Sequence, residues 1–174
     1  MNRKQEKNVQ LFFIIGAILL ILMYIVIIPI RIVLYIWTLP QNIIGVLVML
    51  GVYIKHKVNG NSMMIENGQA GRVIIGFTSD KVGSFSLGHF VFYNTTLNRT
   101  LENIENMKNH ELGHSLQSLI LGPLYLPVVG LSSLILNIQA RWNNNIYENY
   151  YDCFPENWAD KLGKVKRTTR VRYK

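Results

Sequence analysis

The chain has 174 residues, 49% of them hydrophobic, with 18 Lys and Arg against 10 Asp and Glu and a formal net charge of +8. So apolar a composition excludes a disordered polypeptide, and the length suits one domain. A lone cysteine, Cys153, excludes an intrachain disulfide and fits a reducing compartment.

From the N-terminus, Leu11 to Ile30 carries no charge. It matches the roughly 20 helical residues that cross a hydrocarbon core of about 30 Å, and Pro29 with Arg31 predicts its end. A secretory signal is the competing reading. Signal cores are shorter and end in an Ala-x-Ala-like site, which is missing here, so the run is expected to stay in the mature protein. Ile32 to Ile54 forms a second apolar stretch, interrupted by Thr38, Pro40, Gln41 and Asn42. Residues 1–54 therefore read as N-terminal membrane helices, and 55–174 as the functional unit.

Basic residues crowd the two ends: Arg3, Lys4 and Lys7 before the first span, and Lys161, Lys164, Lys166, Arg167, Arg170, Arg172 and Lys174 at the close. Beside apolar spans, the positive-inside rule explains them more economically than nucleic acid does. The expected partner is thus the lipid bilayer and not nucleic acid, with both ends on the cytoplasmic face.

After Ile54 the sequence turns polar and rich in Gly and Asn, which predicts an exit into turns. The β-branched and aromatic runs RVIIGF and SFSLGHFVFYN, separated by TSDKVG, predict a small antiparallel hairpin, with a third strand around Met63 to Glu66. At Thr100, a suitable N-cap, the pattern switches to a helix: Glu102 and Glu105 suit its first turns, and Leu101, Ile104, Leu112, Leu116 and Leu119 recur at helical spacing. The charge-free segment 115–140 follows, broken by Gly122-Pro123, Pro127 and Gly130. Broken backbone at membrane depth survives only under cover of protein, so a re-entrant helical hairpin is expected here. Finally, Pro155 suits the first turn and Gly163 the C-terminal cap of a short helix carrying ENWAD.

The chemistry concentrates in HELGH, residues 110–114. Residues four apart share a helix face, so His110 and His114 present two imidazoles at zinc-ligand spacing. Glu111 beside them can serve as general base toward a water whose pKa a metal has lowered. The third ligand must come from elsewhere. Position 117 is Gln and position 120 is Ile, which excludes HExxHxxGxxH, and neither Asp152 nor Asp160 lies in an LDG-like motif. Downstream stands Glu156-Asn157-Trp158-Ala159-Asp160, an ExxAD element. Its Glu156 and Asp160 share a helix face. Glu156 can complete a zinc site while Asp160 accepts a hydrogen bond from the second ring nitrogen of a ligand histidine, and Ala159 keeps the helix slim enough to lie against HELGH. Glu148 and Asp152 continue the four-residue spacing, but Pro155 interrupts any common helix.

With HExxH and ExxAD joined to apolar spans, the chain resembles the membrane-embedded gluzincin zinc peptidases, such as HtpX and the CAAX prenyl protease. The resemblance runs from the hairpin through Gly163. It implies Zn2+ as cofactor, His110, His114 and Glu156 as its ligands, Glu111 as general base and Asp160 as the group orienting His110. The implied fold is mainly α and membrane-embedded, with transmembrane helices, a small antiparallel hairpin or sheet and a zincin-type active-site helix. Peptidases of this kind hold substrate as an added strand, which makes Gly83 to Asn94 the candidate edge, with Phe85, Leu87 and His89 facing substrate. The chain departs from the family in being much shorter. Its oxyanion-stabilising residue is not assigned by the motifs, leaving Arg141, Tyr147, Tyr150 and Tyr151 as candidates.

The expected function is a membrane-bound zinc-dependent endopeptidase that cuts a membrane-associated protein or peptide near the cytoplasmic surface. The alternative is a non-catalytic membrane protein, immunity-like or a scaffold, with a structural zinc or none.

Overall fold

A computed structural model describes residues 3–60, 63–68, 71–79, 82–95 and 101–167. The expected N-cap, Thr100, lies outside them. Among the described residues the fold is mainly helical, and it divides into two units, 1–36 and 37–174.

The first unit is a single helix. α1 runs Arg3–Trp37 straight through Pro29, so the end expected at Pro29 and Arg31 is not where it stops. A proline removes one helical hydrogen bond, and within apolar surroundings ending the helix would strand many more backbone groups. Its segment Phe12–Trp37 is 26 residues long, carries Arg31 as its one charged residue and is unburied. The break comes at Thr38, and Pro40 occupies the first turn of α2, Leu39–Val58, where a missing N–H costs nothing. α2 is the second helix long and apolar enough to cross a membrane.

The second unit is built on a four-stranded sheet: β1 Met64–Asn67, β2 Val73–Phe77, β3 Phe85–Leu87 and β4 Phe90–Asn94, in the order β1-β2-β4-β3. The sheet is mixed, which corrects the antiparallel hairpin expected between 72–77 and 84–94. β2 and β4 pair parallel, Ile75 opposite Phe92, while β1 with β2 and β3 with β4 pair antiparallel. VIIGF and FVFYN are buried along nearly their whole length, a pattern suited to inner strands covered on both faces. The hairpin instead lies within 85–94 and turns at Gly88-His89. Gly88 has φ +63°, and a Cβ there would collide with Asn42 of α2, so glycine is needed twice over.

Helices cover the two faces. Val48, Met49 and Val52 of α2 pack with Ile75, Phe77 and Phe92. On the other face, Met107 and Leu112 of α3, Leu101–Leu121, pack with Ile74, Val91 and Tyr93. α3 then breaks at Gly122, φ +54°, onto which the Trp37 ring packs. A tight 3-10 turn, Gly122–Leu124, and a wider π turn, Leu126–Gly130, lead to α4, Leu131–Ala140, bent by 119° from α3. The segment closes with α5, Asn144–Glu148, capped by the Asn143 side chain, and α6, Glu156–Gly163. Gly163 ends α6 as a helical residue. The left-handed cap expected there falls on Lys164, φ +55°.

Candidate metal centre

α3 and α6 supply the site, and small residues let them approach. A Cβ on Gly113 would collide with the Ala159 carbonyl, and one on Gly163 with the Asn109 carbonyl. Backbone-to-backbone approach at these points brings Glu156 and Asp160 against His110 and His114. The HELGH helix is held from behind: Ser115 Oγ donates to the Gly88 carbonyl (2.6 Å) and accepts from Arg72 Nε (2.7 Å).

His110, His114 and Glu156 are all buried, and one donor atom from each lies within 4.8 Å of the others. His110 Nε2 is 2.9 Å and His114 Nε2 3.2 Å from Glu156 Oε2. The remaining ring nitrogens have acceptors. His110 Nδ1 donates to Asp160 Oδ1 at 2.6 Å. His114 Nδ1 donates to Gln117 Oε1 at 2.7 Å, and the amide of Gln117 is oriented by its own donation to the Pro155 carbonyl at 3.0 Å. With both Nδ1 atoms acting as donors, both Nε2 lone pairs face a carboxylate oxygen. Such a buried cluster of acceptors is repulsive until a proton or a cation lies among them. The group could hold a metal ion.

Electrostatics agree with the geometry. Burial opposes charge on Glu156, yet the proton that the cluster calls for, carried on the histidine side, holds its carboxyl far below the usual range. Asp160 is likewise held below its usual value, against burial, by His110 and Arg167. Ser133 of α4 donates to Glu156 Oε1 at 2.6 Å, which occupies that oxygen and leaves Oε2 for the histidine side. Glu111 is buried, its Oε2 has no hydrogen-bond partner, and burial raises its pKa.

The expected substrate edge is only partly an edge. Phe85 and Leu87 lie on β3, which is terminal in the sheet, but residues 90–94 form an inner strand. His89 is buried in the turn, its Nδ1 3.3 Å from Asn42 Oδ1 and its backbone N–H donating to the same oxygen at 2.9 Å. Tyr125 donates to the Ser86 carbonyl at 3.3 Å. Among the downstream candidates, Arg141 bonds Asn137 on the surface and Tyr147 is exposed. Tyr150 is hydrogen-bonded to Ser133 and Asn137 and raised above its usual pKa by burial and by Glu156. Tyr151 packs edge-on against His110. Glu148 and Asp152 are exposed and lie outside the cluster, as does the free Cys153.

Three participants escaped the sequence reading: Gln117, Ser133 and Arg167. Gln117 was legible, being one turn past His114 on the same helix face. The other two come from a charge-free segment and a basic tail, where nothing local marks them.

No family model, curated protein or solved structure matches the chain.

Proposed function

We propose that the chain is a membrane-bound zinc endopeptidase. The observation that carries this is the convergence of two imidazole Nε2 atoms and one carboxylate oxygen beside a buried, half-unpartnered Glu111. Two histidines and a glutamate form the donor set of open catalytic zinc sites, whereas structural sites are closed by a fourth protein ligand. Bound there, zinc would polarise a peptide carbonyl and acidify a water. Glu111 takes the proton of the attacking water and delivers it to the leaving amine nitrogen. Asp160 and Gln117 fix the histidine tautomers, and Ser133 occupies Glu156 Oε1, so that Oε2 would be the oxygen offered to a metal.

Two membrane-length helices and the exposed apolar faces of α2 and α4 favour a membrane-associated protein or peptide as substrate. Basic residues at the start of α1 and in the last turn of α2 favour a cytoplasmic active site.

The test is cleavage of an unstructured protein such as casein by the detergent-purified chain, with and without chelator. Chelation should abolish cleavage, and Glu111→Gln should abolish it while leaving one bound zinc. A fully active Glu111→Gln variant would overturn the peptidase reading and favour the non-catalytic alternative.

A further inference from the structure

We propose that Arg167, in the basic C-terminal segment, is a positioning residue of this centre: it clamps Asp160 so that His110 presents Nε2 to the metal. The inference rests on the metal-binding reading above. A run of basic residues after a helix is ordinarily a solvated tail, and exposed ion pairs contribute little. Arg167 is itself 34% exposed, but its pairing has a geometry that a solvated tail lacks. Its Nε lies 2.5 Å from Asp160 Oδ2 and its Nη2 2.8 Å from Oδ1, a two-point fork on one carboxylate. The Asp160 side chain is only 16% exposed.

The same Oδ1 accepts from His110 Nδ1 at 2.6 Å, so the carboxylate plane is fixed by the guanidinium on one side and read by the imidazole on the other. A second path joins the same two residues. The guanidinium stacks 3.3 Å from the centre of the Tyr151 ring, and that ring meets His110 edge-on, with centroids 5.3 Å apart. Arg167 thus bears on His110 through a hydrogen-bonded carboxylate and through a packed aromatic ring.

The backbone is shaped to bring it there. Lys164 in the left-handed conformation turns the chain out of α6, Val165 N–H donates to the Asp160 carbonyl at 3.0 Å, and Asn106 of α3 holds the Lys166 carbonyl at 3.1 Å. Residues 164–167 are a strap across the α3–α6 pair. Lysine cannot replace the clamp, because an ammonium offers a point charge without the planar fork or the stacking face.

The test is the zinc dissociation constant of the full chain in detergent, by competition with a fluorescent chelator, and the visible spectrum of the Co2+-loaded protein. Loss of a group that orients a ligand typically weakens metal binding by about 10–100-fold. Arg167→Gln should therefore raise Kd about tenfold and perturb the cobalt spectrum. Arg167→Lys should fall between it and the wild type, and Lys166→Gln, which removes equal charge from the exposed neighbour, should change nothing. Asp160→Asn should weaken binding at least as much, and adding Arg167→Gln to it should cost less than Arg167→Gln costs alone. Wild-type affinity in Arg167→Gln, or losses that multiply in the double variant, would overturn the clamp while leaving the metal site standing. If Arg167→Gln does not fold, an Arg167→Lys variant with wild-type affinity and cobalt spectrum would overturn it equally. Absence of zinc binding by the folded wild type would overturn both readings.

Discussion

Gly113→Ala puts one methyl group where the helices that carry His110, His114 and Glu156 touch. The added Cβ would stand 2.7 Å from the Ala159 carbonyl carbon and 3.0 Å from its Cα, against the 3.4 Å at which ordinary contact begins. Both atoms belong to backbone, so no side chain can swing aside, and α6 must retreat by at least about 0.7 Å, the gap between 2.7 and 3.4 Å. Glu156 and Asp160 travel with it. A 2.6 Å bond from His110 to Asp160 lengthened by that amount stretches just beyond the usual N–H···O range and weakens. Zinc affinity should then fall about 10–100-fold, or about 1.4–2.8 kcal/mol. The assay is zinc competition titration beside a Gly51→Ala control, which makes the same substitution on α2 where nothing lies within 4 Å. An unchanged zinc Kd in Gly113→Ala would refute the claim that close helix approach sets the ligand geometry.

Ser133→Ala removes the donor to Glu156 Oε1 and should weaken zinc binding roughly tenfold, whereas Ser133→Thr, which keeps the hydroxyl, should retain it. Equal losses in both would assign the effect to packing. Zinc binding should also strengthen as pH rises. Burial opposes charge on His110, but Asp160, Glu156 and Glu111 outweigh it and raise its pKa to about 9. At neutral pH the metal-free site therefore holds a proton that zinc must displace, and Kd should rise about tenfold for each pH unit lowered from 8 to 6. A Kd independent of pH over that interval would contradict a protonated His110.

The grouping of His110, His114 and Glu156 was legible because its parts are local. His110 and His114 lie one turn apart on a helix whose periodicity is plain, and Glu156 and Asp160 repeat the same spacing on a second. The sheet was not, because its defining feature, the parallel pairing of β2 with β4, joins strands around an intervening edge strand. Alternation cannot report such a pairing, although the nearly unbroken apolar character of VIIGF and FVFYN marks both as inner strands. The end of α1 was misplaced for a different reason. Pro29 carries the usual signal of a helix end, but its weight depends on what the backbone would meet outside the helix. Arg167 was hidden by its company, since six other basic residues around it in sequence fit the ordinary account of a tail.

α2 combines two roles that are usually separate. One side shows Ile43, Leu47, Leu50 and Ile54 to its surroundings. The other buries Gln41 and Asn42, whose amides bind Ser118, the Gly122 carbonyl and the Gly88-His89 turn. A chain shortened to begin at residue 37 keeps every one of these bonds. One begun at residue 59 leaves Ser118, the Gly122 carbonyl and the hairpin turn without those partners and uncovers one face of the sheet. The route to a water-soluble fragment therefore lies in recolouring the outer side of α2 with polar residues, since this helix is a wall of the domain and cannot be cut away as a tether.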